Sequence, residues 1–264
     1  IETFHIGELG FGSGLNFLQV MKLWQGLDKR PERLHYIAFE KHPLTIDQLQ
    51  RIHQRWTSLA TQSTELVEQY TDHSEGCHRI PLTNGIILDV YYGDAFDQLN
   101  QRMTHPCPAI QCWFLDGFSP ANNSQLWEEP LMHLLASCSD ENTTLSTYSV
   151  AGKVRSALKN AGFEVSKIEG FGRKRHSLHA VMPAGEIKSL EGKPKEDKSL
   201  HSADFPWFTL PKPHFAGKTA VIIGAGLAGC STAHSLAQRG WTVTVVDAQS
   251  KPASDASGNS QMAL

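Results

Sequence analysis

Two hydrophobic periods alternate along the chain. Short apolar runs, rich in β-branched and aromatic residues and poor in charge, lead into segments whose apolar residues recur at helical spacing. The first run, Phe4-His5-Ile6-Gly7-Glu8-Leu9, passes through Gly10-Phe11-Gly12-Ser13-Gly14 into Asn16–Gln25. There Phe17, Leu18, Met21, Leu23 and Trp24 fall at helical intervals, and Gly26 ends the segment. This predicts strand, tight turn, helix. Leu34–Glu40 is a second strand, and His42 to about Tyr70 reads as two helices. Arg79–Leu82 and Ile86–Tyr92 flank Asn84-Gly85, a strong hairpin signal. A short helix at Phe96–Gln101, a strand at Ile110–Leu115, a helix at Leu126–Ala136 and a strand at Asn142–Val150 follow. The pattern closes with a helix at Ala151–Ala161 and strands at Glu164–Ile168 and Ser177–Met182. Strands with so little charge are those of a parallel sheet covered on both faces, which sets the class as α/β.

Residues 183–213 break this rhythm. They are rich in Lys, Glu, Ser and Pro, lack apolar periodicity and read as a linker, with Trp207-Phe208 as a possible anchor. A new unit then begins. Thr219–Ile223 is a strand, Gly224-Ala225-Gly226-Leu227-Ala228-Gly229 is a G-x-G-x-x-G, Cys230–Arg239 is a helix, and Gly240–Asp247 is a strand ending in an acid. Strand, glycine fingerprint, helix, strand and acid in that order indicate a dinucleotide site for FAD or NAD. Gly224, Gly226 and Gly229 would meet the pyrophosphate and Asp247 the ribose. A single βαβ unit does not enclose such a ligand.

In open α/β sheets ligands sit beyond the carboxyl ends of the strands. Glu8 and Gly10, Glu40, Asp94 and Asp116 all fall at that rim. Each has a bland alternative. Glu40 reads equally as a solvated strand end, Asp94 as a helix cap, and Asp116 as a brace for loop N–H groups. Phe118 and Pro120 either wall an apolar pocket or fill their own loop. Convergence on one rim favours the ligand reading. Near the end of the first unit, Gly170-Phe171-Gly172-Arg173-Lys174-Arg175-His176 is a basic turn, either solvated or set against a phosphate backbone.

The whole-chain numbers narrow the class only slightly. With 264 residues, 40% hydrophobic and 19% charged, the chain has the make-up of a globular protein with more than one domain. A net charge of -3 excludes a protein basic all over but not a local basic patch. The five cysteines form no C-x-x-C pair, which speaks for reduced thiols in the cytoplasm, without a zinc site or other metal. No apolar run reaches membrane-spanning length, so no membrane partner is expected. The chain opens on Ile1 inside an apolar run, which leads us to expect that its native N-terminus lies further upstream.

Glu8-x-Gly10-x-Gly12-x-Gly14 resembles the first motif of class I S-adenosylmethionine (SAM) methyltransferases, and Gly93-Asp94 resembles the motif whose acid meets the adenine amino group. Glu8-Leu9-Gly10-Phe11-Gly12-Ser13-Gly14-Leu15-Asn16-Phe17, Phe114-Leu115-Asp116-Gly117-Phe118-Ser119-Pro120-Ala121 and Gly170–Arg175, ahead of a flavin-type fingerprint, are together similar to one family. It is the bifunctional tRNA 5-methylaminomethyl-2-thiouridine biosynthesis family. Ala256-Ser257-Gly258 likewise resembles FAD-dependent amine oxidases of the D-amino-acid-oxidase type.

The resemblance implies a class I SAM-methyltransferase Rossmann-like sheet with a terminal antiparallel β pair (1–183), a linker (184–217) and a truncated FAD-binding βαβ unit (218–264). It implies that the flavin half removes the carboxymethyl group of 5-carboxymethylaminomethyluridine at the tRNA wobble position. The first half then N-methylates the 5-aminomethyl group from SAM. Relative to the family, N-terminal strands and most of the oxidase are missing, so FAD is not expected to be retained. The implied roles are Asp116 as catalytic carboxylate and Glu40 at the ribose. Asp94 would lie on the adenine side, with Glu8, Gly10, Phe11, Gly12, Ser13, Gly14, Asn16 and Phe118 also about the cofactor. Lys153, Arg155, Arg173, Lys174 and Arg175 would meet phosphates of the anticodon stem-loop. Two rivals stand beside this: an NAD(P)- or FAD-dependent oxidoreductase using only the second fingerprint, and a non-catalytic scaffold that docks tRNA.

Overall fold

The structure, a computed structural model, describes residues 2–70, 74–104, 107–117, 125–170, 172, 175–184 and 217–254. The chain divides into two compact units, Ile1–Phe208 and Thr209–Leu264. The described part of the first is built on one sheet. Its strands are β1 (Thr3–Leu9), β2 (Arg33–Glu40), β3 (Gly76–Pro81), β4 (Ile86–Tyr92), β5 (Ile110–Leu115), β6 (Ser139–Thr147), β7 (Glu164–Glu169) and β8 (His176–Val181). They lie in the order β3-β4-β2-β1-β5-β6-β8-β7. From β4 to β6 all neighbours are parallel, while β3 and β8 run antiparallel to the strands beside them. The chain winds outward from β1 in both directions, so the sheet reverses its order between β1 and β5. That is the place where such sheets open a crevice.

The helices are α1 (Leu15–Gln25), α2 (Ile46–His53), α3 (Ala60–Gln69), α4 (Ala95–Met103), α5 (Glu129–Ser137) and α6 (Gly152–Asn160). Strand alternation divides the core into two layers. On β2, Leu34, Tyr36 and Ala38 face one layer, with Phe17, Leu18 and Met21 of α1, Leu49 of α2 and Leu66 of α3. Ile37 and Phe39 face the other, with Leu99 of α4, Leu131 and Leu135 of α5, and Val154 and Leu158 of α6. The central strands β1, β2 and β4 are largely buried between these layers, while the edge strands β3 and β7 are mostly exposed.

Two segments of this unit depart from the periodic expectation. The predicted helix at Leu126–Ala136 is a 3-10 turn, Gln125–Trp127, followed by α5, because Pro130 has no N–H to give and suits only a first helical turn. Strand β6 begins at Ser139, three residues earlier than predicted. Ser139 pairs with Ile110, and the register shifts before Cys112, with Asn142 at φ 65°. Polar residues there masked a strand that tertiary pairing enforces.

The second unit is described by itself. Its β9 (Thr219–Ile223) and β10 (Thr242–Val246) are parallel and joined by α7 (Leu227–Gln238), which starts three residues before the predicted Cys230 because Gly226 is its N-cap. Ile223 is 90% exposed and Val221 65%, so the described βαβ unit buries little of its own sheet.

Candidate active site

The loop after β1 is folded by its own backbone and by β2. The Phe39 carbonyl accepts from the N–H groups of Gly10 (2.9 Å) and Phe11 (3.3 Å), while the Leu9 carbonyl accepts from Asp116 N–H (3.1 Å). The strand ends of β1, β2 and β5 are thereby tied together. Gly10 (φ 87°) has no room for a side chain: a Cβ would lie 2.8 Å from the Asp116 carbonyl oxygen and from Gly117 Cα. Gly12 (φ 54°) is the opposite case, its missing Cβ pointing into open space. Loop packing therefore requires the first glycine, and the second leaves one face of the loop bare. No side chain caps α1 behind it, so its first-turn N–H groups remain available to an anion.

A cleft of about 780 Å³ opens beside this face. Of the residues predicted from sequence, Gly10, Gly12, Glu40, Asp94 and Asp116 line it. Glu40, at the tip of β2, accepts from Gly12 N–H and His42 N–H, both at 2.7 Å, through different carboxylate oxygens. Each oxygen keeps a lone pair for a further donor. Asp94 caps α4 through Phe96 N–H (3.0 Å) and pairs with Lys41 (3.1 Å). Burial acts to raise its pKa, but these partners outweigh it and hold the carboxyl below its ordinary value.

Asp116 leaves β5 at the reversal point. Its Oδ2 accepts from Asn16 Nδ2 at 2.8 Å, and its side chain is exposed to the cleft. Phe39, Phe96, Leu126 and Leu131 add apolar wall. Tyr148 stands at the same wall, its hydroxyl donating to the Gly117 carbonyl (2.6 Å) and its ring edge-on to Trp127.

Several expected residues lie elsewhere. Glu8 is 1% exposed and sits beneath the loop, held by Asn16 Nδ2 (2.8 Å) and the Tyr36 hydroxyl (2.9 Å). Phe11 is buried under Gly14 and beside Phe17, because its ring fills the space that a Gly14 side chain would take. Ser13 has its carbonyl 2.7 Å from His53 Nε2. Glu8, Phe11, Ser13, Gly14 and Asn16 are not among the described residues that line the cleft. They shape its floor. Lys41, His42, Asp97, Glu128 and Tyr148 do line it and carry no motif that would have marked them; only their place after strand ends hints at them.

Lys153 and Arg155 are exposed on α6, and Arg175 is exposed before β8. Phe118, Arg173, Lys174, Pro120 and Ala256–Gly258 lie outside the described residues. In the second unit Gly229 has to be glycine: a Cβ there would lie 1.8 Å from the Gly224 carbonyl oxygen. Asp247 takes the N–H groups of Ala225 (2.5 Å) and Gln249 (2.7 Å), and both lower its pKa. Among the described residues no group of three or more His, Cys, Asp or Glu is placed to hold a metal, and no helix is long and apolar enough to cross a membrane.

The cleft fits SAM. The bare face at Gly12 and the uncapped start of α1 suit its amino-acid carboxylate, Glu40 suits a ribose diol, and the apolar wall suits an adenine. Comparison with known proteins agrees. Residues 57–183 match the model of a family described as S-adenosyl-L-methionine-dependent methyltransferase, and residues 219–264 that of an FAD dependent oxidoreductase.

The tRNA 5-methylaminomethyl-2-thiouridine biosynthesis bifunctional protein MnmC of Stutzerimonas stutzeri (strain A1501) is 39% identical over 264 residues. That is 100% of this chain and 37% of the relative. The protein of the same name from Legionella pneumophila (strain Lens) is 37% identical, over 100% of this chain and 40% of the relative. The crystal structure of MnmC2 from Aquifex aeolicus superposes with a TM-score of 0.51 at 25% identity, over 70% of this chain and 55% of that one. The chain thus spans about two fifths of the length of the curated relatives it matches. These likenesses place the chain with the family of bifunctional tRNA 5-methylaminomethyl-2-thiouridine biosynthesis proteins, of which it corresponds to the methyltransferase domain and the opening of the FAD-dependent oxidoreductase domain.

Proposed function

We propose that the first unit N-methylates 5-aminomethyl(-2-thio)uridine at the tRNA wobble position, giving 5-methylaminomethyl(-2-thio)uridine. In the whole protein, FAD chemistry in the second unit would first remove the carboxymethyl group. SAM, when bound, supplies a methyl group on an electrophilic sulfonium. The chain's part is to hold a neutral amine in line and to take its proton. Asp116 carries the reading: it is a carboxylate on the cleft wall at the sheet reversal, fixed at one oxygen by Asn16. Its free oxygen orients the amine, stabilises charge growing on nitrogen and accepts the proton. Glu40 holds the ribose, Asp94 faces the adenine side and the Gly10–Gly14 backbone holds the amino-acid end. Tyr148, pinned at the wall, offers a flat surface for the uracil ring.

Lys153, Arg155 and Arg175 with Arg173 and Lys174 would grip the anticodon stem-loop through its phosphates. The five cysteines are free thiols, as suits the cytoplasm where tRNA is modified. The domain limits we propose are 1–183, 184–217 and 218–264, and the two family matches, 57–183 and 219–264, fall within the first and last of them.

The intact fingerprint of the second unit favours a second reading, a nicotinamide- or flavin-dependent oxidoreductase with a docking scaffold in front. One variant separates them. Asp116→Ala is expected to bind SAM as the parent does and to lose methyl transfer by about 10² or more. A parent stabilised against heat by NAD but not by SAM would favour the oxidoreductase. A parent that binds SAM and tRNA and transfers no methyl would favour the scaffold.

A further inference from the structure

Asn16 lies between two carboxyl groups. Its Nδ2 is 2.8 Å from Glu8 Oε1 and 2.8 Å from Asp116 Oδ2. A primary amide nitrogen has two hydrogens, and here each has its own acceptor. Glu8 lies in the sheet interior, 1% exposed, with its other oxygen on the Tyr36 hydroxyl. Tyr36 is itself wholly buried on β2 and edge-on to Phe17 at 5.0 Å. A rigid chain therefore runs from the core through Tyr36, Glu8 and Asn16 to one oxygen of the cleft carboxylate.

We infer that Asn16 is a positioning residue for Asp116, with Glu8 as its buried anchor, rather than a contact for the cofactor. This rests on the reaction proposed above. With Oδ2 engaged by Asn16 and the main-chain N–H on Leu9, Asp116 is held in one orientation, leaving Oδ1 for the amine. An Asp without this brace would spread over several rotamers, and a shift of about 1 Å at a reacting group can cost 10²-fold in rate. Glu8 is suited to anchor without competing. Burial raises its pKa, the hydrogen bonds from Asn16 and Tyr36 oppose this, and the Asp116 and Glu40 carboxylates add to it, leaving the group at about 8. Near neutral pH Glu8 is then mostly uncharged and does not compete with Asp116 for the amine proton. The sequence motif put both Glu8 and Asn16 beside the cofactor; neither lines the cleft.

The test uses the whole chain with SAM and tRNA bearing 5-aminomethyl-2-thiouridine. Asn16→Ala is expected to lower the rate at saturating substrates about 30- to 100-fold, with the SAM Kd within about threefold of the parent. Glu8→Ala is expected to behave alike. Glu8→Gln should recover at least about tenfold of what Glu8→Ala loses, since its carbonyl oxygen still accepts from Asn16 and its NH2 can donate to the Tyr36 oxygen. An Asn16→Ala protein with weakened SAM binding and an unchanged saturated rate would overturn the proposal. The bridge has its own readout in isotope-labelled protein: Asp116→Ala should shift one Asn16 carboxamide proton and Glu8→Gln the other. Resonances indifferent to both would overturn the bridge even in an active enzyme. A parent folded and able to bind SAM but inactive would overturn the reaction and the positioning role together.

Discussion

Single residues divide the glycine loop into structural and ligand-facing positions. Gly10→Ala drives a Cβ against backbone that has nowhere to move and holds a residue at φ 87°. A loss of about 3 kcal/mol in unfolding free energy is expected, combining overpacking with left-handed strain. Gly12→Ala carries only the strain, about 1 kcal/mol, and projects its methyl into open space. Its expected signature is a nearly normal melt with SAM binding weakened about tenfold or more, because each 1.4 kcal/mol of lost contact is tenfold in Kd. Equal thermal losses in the two variants would contradict this division. Glu8 adds a pH signature. Its folded value of about 8 lies above its ordinary 4.5, so the stability it contributes is complete below about 4.5 and lost as pH rises toward 8. Denaturant midpoints of Glu8→Gln should therefore gain on the parent across that window. A constant difference would place the charge elsewhere.

Among the elements, the central strands were legible because their period leaves no choice: Leu34–Glu40 and Ile110–Leu115 carry too few charges to face water on either side. The Asn84-Gly85 hairpin was equally plain, and both residues take positive φ (58° and 74°). The start of β6 and the 3-10 turn before α5 were not, since a remote pairing and one proline decide them. The cleft was half legible. Strand-end acids announce themselves by position, but Tyr148 reaches the wall from the end of β6 and Lys41 and His42 from beyond β2, with no local pattern to mark them. Nor does the sequence show which members of a motif turn inward, as Glu8 and Phe11 do.

One cross-strand tie is also hidden in sequence. Asp89 on β4 receives Arg79 of β3 through Nε and Nη2, both at 2.7 Å, and lies 2.8 Å from His35 Nε2 of β2. Burial acts to raise the Asp89 pKa, yet these partners carry it down to about 2 from an ordinary 3.8. Its stabilisation, about 2 kcal/mol, is present above about pH 4 and lost as pH falls toward 2. Asp89→Asn should be less stable than the parent by that amount at neutral pH and match it near pH 2, as chemical denaturation would record.

At the scale of the molecule, two ligand-binding folds share one chain, and the cleft seen among the described residues belongs to the first. The second unit has its fingerprint glycines and Asp247 in place, yet its strands expose Val221, Ile223 and Val246. A flavin held by one βαβ unit alone would lie open to water, so the purified chain is expected to show no flavin absorbance. A yellow protein with stoichiometric FAD would contradict that. The methyl transfer proposed for the first unit has its own test. Labelled methyl transfer from SAM to tRNA carrying 5-aminomethyl-2-thiouridine, with the tRNA digested to nucleosides and the labelled one identified by mass, is the direct test. Label on the aminomethyl nitrogen is the expected result. Label on any other nucleoside, or none from folded protein that binds both SAM and this tRNA, would contradict the assignment.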